Sequence, residues 1–128
     1  MPTFKKTERL CSRKLIDELY NTGSAFNAGS VRLIWKSLAI QNEASAKILT
    51  VVPKKKLKLS VDRNLVKRRI KEAYRLNKNI IYPFLLERKI SLLLAFNYTC
   101  NEVLSYDEIE PKIILTLNRL KTAIEKIH

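Results

Sequence analysis

Arg63, Lys67, Lys71 and Arg75 stand four residues apart, so on a helix they form one line of positive charge. Asn64 and Arg68 lie beside that line, and Lys78 extends it. Guanidinium and ammonium groups take phosphate oxygens, and the Asn64 amide can donate to or accept from a phosphate or a base edge. Like charges at this spacing repel on a solvated helix, so the line makes sense when a polyanion sits against it. Lys54, Lys55, Lys56 and Lys58 add cations just upstream. Residues 54–78 hold eleven basic residues and two acidic ones, whereas residues 87–128 hold six of each. Most of the net charge of +13 is therefore focused in one stretch, as in a phosphate-binding surface rather than a generally basic solvated protein. Neutralising about five phosphates would make log affinity fall with log salt at a slope of roughly −3.5 to −4.5.

Residues able to do catalysis are scarce. The one histidine is His128, the last residue given. General acid–base or metal-assisted hydrolysis needs a positioned histidine or a carboxylate pair, and the acidic residues are scattered. Asp107, Glu108 and Glu110 fit charge complementation at a helix N-terminus. Cys11 and Cys100 form no CxxC pair and no disulfide framework. A metal site from Cys11, Cys100 and His128 would need three remote residues to converge. Two glycines leave no phosphate-cradling glycine-rich loop. The expectation is a protein that binds, with no catalytic residue and no metal ligands of its own.

A second binding chemistry is available from Phe4, Ile16, Tyr20 and Trp35. Aromatic side chains on an open sheet face stack on unpaired bases. Ile16 alone reads as core, whereas Tyr20 and Trp35, with polar edges, suit either a core or a half-exposed site.

These residues need a scaffold, and 128 residues at 46% hydrophobic content suit one domain spanning 1–128, with a basic N-terminal arm at 1–10. Ser12 caps a short helix carrying Leu15, Ile16, Leu19 and Tyr20, which Gly23 stops. Residues 31–38 and 47–52 read as two antiparallel strands. The basic helix runs from Asp62 to Asn79 and buries Leu65, Val66, Ile70, Ala73 and Leu76. Pro83 breaks the next segment. The apolar run 90–96 is a strand covered on both faces, followed by a loop at 97–101. Ser105 and Glu108, or Asp107 and Glu110, offer capping boxes for a last helix whose core face is Ile113, Ile114, Leu117, Leu120 and Ile124. The order α-β-β-α-β-α, with a βαβ unit at its centre, predicts a small α+β two-layer sandwich. No apolar run reaches the length of a membrane span. A basic amphipathic helix could lie on an acidic membrane, but its apolar side is committed to a core. The cysteine usage fits a cytoplasmic setting.

The run Arg63-Asn64-x-x-Lys67-Arg68-x-x-Lys71-Glu72-Ala73-Tyr74 resembles the signature helix of the bacterial ribonuclease P protein component. Phe4-Lys5-Lys6 with Arg9-Leu10 resembles that family's N-terminal arm, Ile16-x-x-Leu19-Tyr20-x-x-Gly23 its first helix, and Val51-Val52-Pro53-Lys54-Lys55 the strand end and basic turn before the signature. The resemblance implies a left-handed βαβ crossover and a protein subunit of a ribonucleoprotein endonuclease that matures the 5′ end of tRNA. The RNA would carry catalysis with bound magnesium. It further implies that Lys54, Lys55, Arg63, Asn64, Lys67, Arg68, Lys71 and Arg75 contact the catalytic RNA subunit. Phe4, Ile16, Tyr20 and Trp35 would line a cleft for the 5′ leader of precursor tRNA, and without RNA the protein would be a monomer or weak dimer. The family commonly has arginine where this chain has Leu65, and the loop at 56–60 also departs from its pattern. The alternatives are a structural rRNA-binding protein, which needs no aromatic cleft, and a stand-alone nuclease, which a single terminal histidine argues against.

Overall fold

The computed structural model describes residues 9–38 and 46–127. Phe4 and the rest of the arm at 1–8 lie outside them, as does His128. The elements are α1 (Arg13–Thr22), β1 (Ser24–Ala28), β2 (Val31–Leu38), β3 (Ala46–Val51), α2 (Ser60–Asn77), a 3-10 turn (Lys78–Ile80), α3 (Tyr82–Arg88), β4 (Ser91–Tyr98) and α4 (Tyr106–Ile127). The four strands form one sheet in the order β1-β2-β4-β3. β2 runs antiparallel to β1 and β4, and β3 pairs in parallel with β4. The segment from β3 through α2 and α3 to β4 is thus the expected βαβ unit, in an α+β fold.

β4 explains its own sequence. Paired on both edges and covered on both faces, it buries every side chain from Leu92 to Phe96, which requires a continuous apolar run rather than alternation. Leu92, Leu94, Phe96 and Tyr98 join Val31, Leu33, Trp35 and Ile48 in the main core, closed by Val66, Ile70, Ala73 and Tyr74 of α2 and by Ile109, Ile113, Leu117, Leu120 and Ile124 of α4. On the opposite face, Leu93 and Ala95 meet Leu10 and Leu19, with Leu15, Ile16, Ile34 and Leu49 packed around them.

Several expected details change. β2 and β3 run in opposite directions but are not neighbours, because β4 inserts between them. β1 was not expected: Gly29, at φ +66°, sits in a two-residue turn that folds it onto β2, a conformation that favours glycine. Pro83 lies in the first turn of α3, where its missing N–H costs nothing. The strand at 90–96 continues through Tyr98, so Asn97 belongs to the sheet rather than to a loop. The buried stripe of α2 is Val66, Ile70, Ala73 and Tyr74, with Leu76 exposed and Leu65 half-buried. Ser105 and Glu108 form the capping box of α4: the Glu108 amide donates to Ser105 Oγ, and the Ser105 amide donates to Glu108 Oε1, each at 3.3 Å.

Gly23 stops α1 for a steric reason. Its φ is −75°, but a Cβ there would lie 2.4 Å from the Leu19 carbonyl oxygen and 2.9 Å from that of Trp35. Gly23→Ala is expected to destabilise the fold by about 1–3 kcal/mol through this overpacking, read as a lower urea midpoint. An unchanged midpoint would show that helix and strand can part at no cost.

Candidate RNA-binding surface

Two places in this scaffold could take RNA. The first is α2 and the loop before it. Leu57 is buried in the core and anchors the loop, while Lys54, Lys55 and Lys58 are exposed. Arg63 ties loop to helix: its Nη1 donates to the carbonyls of Leu57 at 2.9 Å and Lys58 at 2.8 Å. Arg63 therefore fixes the path of the basic loop as well as belonging to the charged line. On the outer face, Asn64 and Arg68 are exposed, and Lys67, Lys71 and Arg75 are half-buried. Arg75 is paired with Glu72, with Nε and Nη2 at 2.5 and 3.0 Å from the two carboxylate oxygens.

The charges on this face press on one another. The Lys71 ammonium is held below its ordinary lysine value, first by burial and then by Arg9 and Lys67. Arg9 reaches the site because Leu10 donates from its amide to the Ile48 carbonyl at 2.8 Å and Arg9 bridges Ile48 at the outer edge of β3. The sequence shows Arg9 only as part of a basic arm; its place beside Lys71 needs the sheet edge. Glu72 is held below the usual carboxylate range chiefly by the hydrogen bond from Arg75. Two basic residues of α2 do other work. Arg69 Nη1 donates to the Leu104 carbonyl, pinning the segment before α4. Lys78 does not extend the charged face: it is buried, with Nζ 5.2 Å from the centre of the Tyr82 ring.

The second place is the sheet face beneath α1. Tyr20 is 43% exposed. Its hydroxyl donates to Asn97 Oδ1 at 2.7 Å, and burial raises its pKa against a smaller opposing effect of that bond. Register places Arg32, Asn97 and Val51 in one row across β2, β4 and β3, and Ile34, Ala95 and Leu49 in the next. Ile16, half-buried, packs against the second row's cluster. Lys36 donates to Glu18 at 3.0 Å and to Thr22 Oγ1 at 2.6 Å, fastening α1 to β2.

Trp35 is a correction to the expected cleft. It is 5% exposed and lies in the main core, on the sheet face opposite Tyr20 and Ile16. The signal was available: Trp35 shares strand parity with the buried Val31 and Leu33, and period two sends all three to the same face. Asn97 and Arg32 are what sequence reasoning missed in its place. Phe4 lies outside the described residues.

A family model described as Ribonuclease P matches residues 4–121. The chain belongs to the ribonuclease P protein family. The ribonuclease P protein component of Porphyromonas gingivalis is 34% identical over 121 residues, covering 93% of this chain and 88% of that protein. That of Chlorobaculum tepidum is 33% identical over 72 residues, covering 54% of this chain and 47% of its own. Two solved ribonuclease P proteins share the fold. The one from Thermotoga maritima superposes with a TM-score of 0.69 at 18% identity, covering 88% of this chain and 96% of its own. The one from Staphylococcus aureus has a TM-score of 0.68 at 16% identity, covering 91% and 97%. The basic helix and the α1–sheet face of this ribonuclease P protein thus sit in the family's fold, and a purely structural rRNA-binding role is not favoured.

The crowding at Lys71 predicts a trade-off. Burial, Arg9 and Lys67 lower the folded pKa of Lys71, so the fold carries a cost wherever the ammonium stays charged. Stability is then regained as pH rises through the lowered folded value toward the unfolded one. Lys71→Gln is expected to raise the free protein's stability by about 0.5 kcal/mol by removing like-charge pairs at i±4, and to weaken RNA binding. Thermal melts of the free protein, with RNA titrations beside them, check both signs. A less stable variant would show that the face is not under electrostatic strain.

Proposed function

We propose that the chain docks on the catalytic RNA of ribonuclease P through the outer face of α2 and the Lys54–Lys58 loop, and holds the single-stranded 5′ leader of precursor tRNA on the sheet face beneath α1. The observation that carries this is the line Lys67, Lys71 and Arg75, with Asn64 and Arg68, held outward on a helix whose other face closes the core. Lys54 and Lys55 stand at its N-terminal end, and Arg63 fixes their loop. Ile16 and Tyr20, joined by Asn97, Arg32 and Val51, would form the leader surface.

Cleavage itself is assigned to the RNA. The described carboxylates with partners do structural work: Glu18 on Lys36, Glu72 on Arg75, Glu108 in the α4 cap, and Glu110 accepting from Tyr106 at 2.8 Å and Asn77 at 3.1 Å. Magnesium prefers octahedral oxygen ligands, often phosphates, and the RNA would hold it. The same reading makes the protein cytoplasmic, and a monomer or weak dimer before it meets RNA.

Precursor tRNA is to be incubated at low magnesium with the protein, with the cognate RNA subunit, and with both. The expected result is no cleavage by protein alone and stimulation of the RNA by the protein; cleavage by protein alone would overturn the assignment. Lys67→Ala with Lys71→Ala should flatten the salt slope of RNA-subunit binding by about 1.4–1.8; an unchanged slope would remove α2 as the contact. Tyr20→Ala should weaken holoenzyme binding of precursor tRNA by about 1–3 kcal/mol per stacked base lost, and leave binding of a leaderless tRNA untouched. Equal losses on both substrates would move the leader elsewhere.

A further inference from the structure

Beside the charged line of α2 runs an open groove of about 520 Å³, where α2 meets the start of α4. Leu65 and Tyr106 lie in it, and Arg68, Arg69, Glu72 and Arg75 surround them. Despite those names its lining is mostly apolar, because long charged side chains present their aliphatic stems.

Four of the polar groups around the groove, those of Arg69, Glu72, Arg75 and Tyr106, are tied to partners within the fold. Arg69 donates to the Leu104 carbonyl, and Arg75 and Glu72 hold each other. The Tyr106 hydroxyl donates to Glu110 at 2.8 Å, which fixes the ring; burial, with that bond adding to it, pushes the phenol up to about 12, so it remains a neutral donor. The result is a pre-arranged apolar seat set among cations.

An apolar seat rimmed by phosphate-binding side chains matches one kind of ligand well. A nucleobase has a flat apolar face and polar edges, and it arrives attached to phosphates. A duplex would bring only backbone to this surface, so the base must be unstacked. Bases stack on aromatic rings with little regard to sequence, and the ionised Glu72 offers an acceptor at the rim for an exocyclic amino group. The cations beside it favour a polyanion over a protein side chain arriving on a neutral or basic surface.

We infer that the groove between Leu65 and Tyr106 seats one unstacked nucleobase of the RNA subunit while Arg68 and Lys71 take the flanking phosphates. This rests on the reading of α2 as the RNA-docking helix. It makes that helix a reader of RNA shape as well as of charge, since only a nucleotide free of its stack can enter.

The test compares Tyr106→Leu, which removes the ring but keeps apolar volume, with Leu65→Gln and with Lys67→Ala/Lys71→Ala. Each is titrated against the cognate RNA subunit over a salt series, and melts establish that the variants are folded. Tyr106→Leu should weaken binding about 5- to 150-fold with the salt slope unchanged, because a neutral contact is lost. Leu65→Gln should shift affinity the same way, and Tyr106→Phe should restore it. Chemical probing of the RNA should show one base protected by the wild-type protein and exposed with Tyr106→Leu. If both groove variants bind as wild type while the double lysine variant is weakened, the seat is overturned and the docking helix stands. If the double lysine variant is also unchanged, the docking reading itself falls. A dimer of the free protein that Tyr106→Leu dissolves would assign the groove to a second copy instead and overturn the inference.

Discussion

Everything this protein does with charge depends on α2 being buried along one side. The pairs Arg63–Lys67, Lys67–Lys71 and Lys71–Arg75 each cost about 0.2–0.5 kcal/mol on a solvated helix. Burying Val66 and Ile70 stabilises by roughly 1.5–3 kcal/mol each, and Ala73 and Tyr74 are buried with them. The core therefore outweighs the repulsion, and the helix is held with its cations displayed. Glu72 relieves part of the crowding by taking Arg75. A polyanion laid on this face finds its counter-charges already in position and does not have to order them.

The same economy shapes the loop before α2. Leu57, buried beneath it, and Arg63, bonded to its carbonyls, fix a segment that is otherwise nearly all lysine. Arg9 arrives by a different route, carried along the edge of β3 until it crowds Lys71. Charge from three parts of the chain is thus gathered on one side of the molecule, while α1, fastened by the Lys36–Glu18 pair and the Tyr20–Asn97 hydrogen bond, shapes a second surface on the sheet's other face.

The sequence was readable where one periodicity dominated. The basic line, the apolar run of β4 and the Ser105–Glu108 box each carry a local signal that the fold obeys. It was less readable where the deciding contact lies far along the chain. Tyr20 acquires its partner 77 residues away, and nothing local marks Asn97 as belonging to a strand rather than a loop. Lys78 looks like one more surface cation until Tyr82 folds back over it. Trp35 is a different failure: its amphipathic chemistry suggested a stacking residue, but strand parity, set by Val31 and Leu33, decided its face. Leu65 reads as core from its apolar character, yet the stripe is centred on Ile70 and Leu65 falls into the groove beside Tyr106.

The central claim is that RNA lies against α2 and the loop before it. Lysine acylation of the free protein and of its complex with the cognate RNA subunit, read residue by residue by mass spectrometry, tests this directly. The account predicts that Lys54, Lys55, Lys67 and Lys71 become protected at saturating RNA while Lys112, Lys121 and Lys126 on α4 stay reactive. Unprotected α2 lysines in a saturated complex, with protection found on α4, would contradict it.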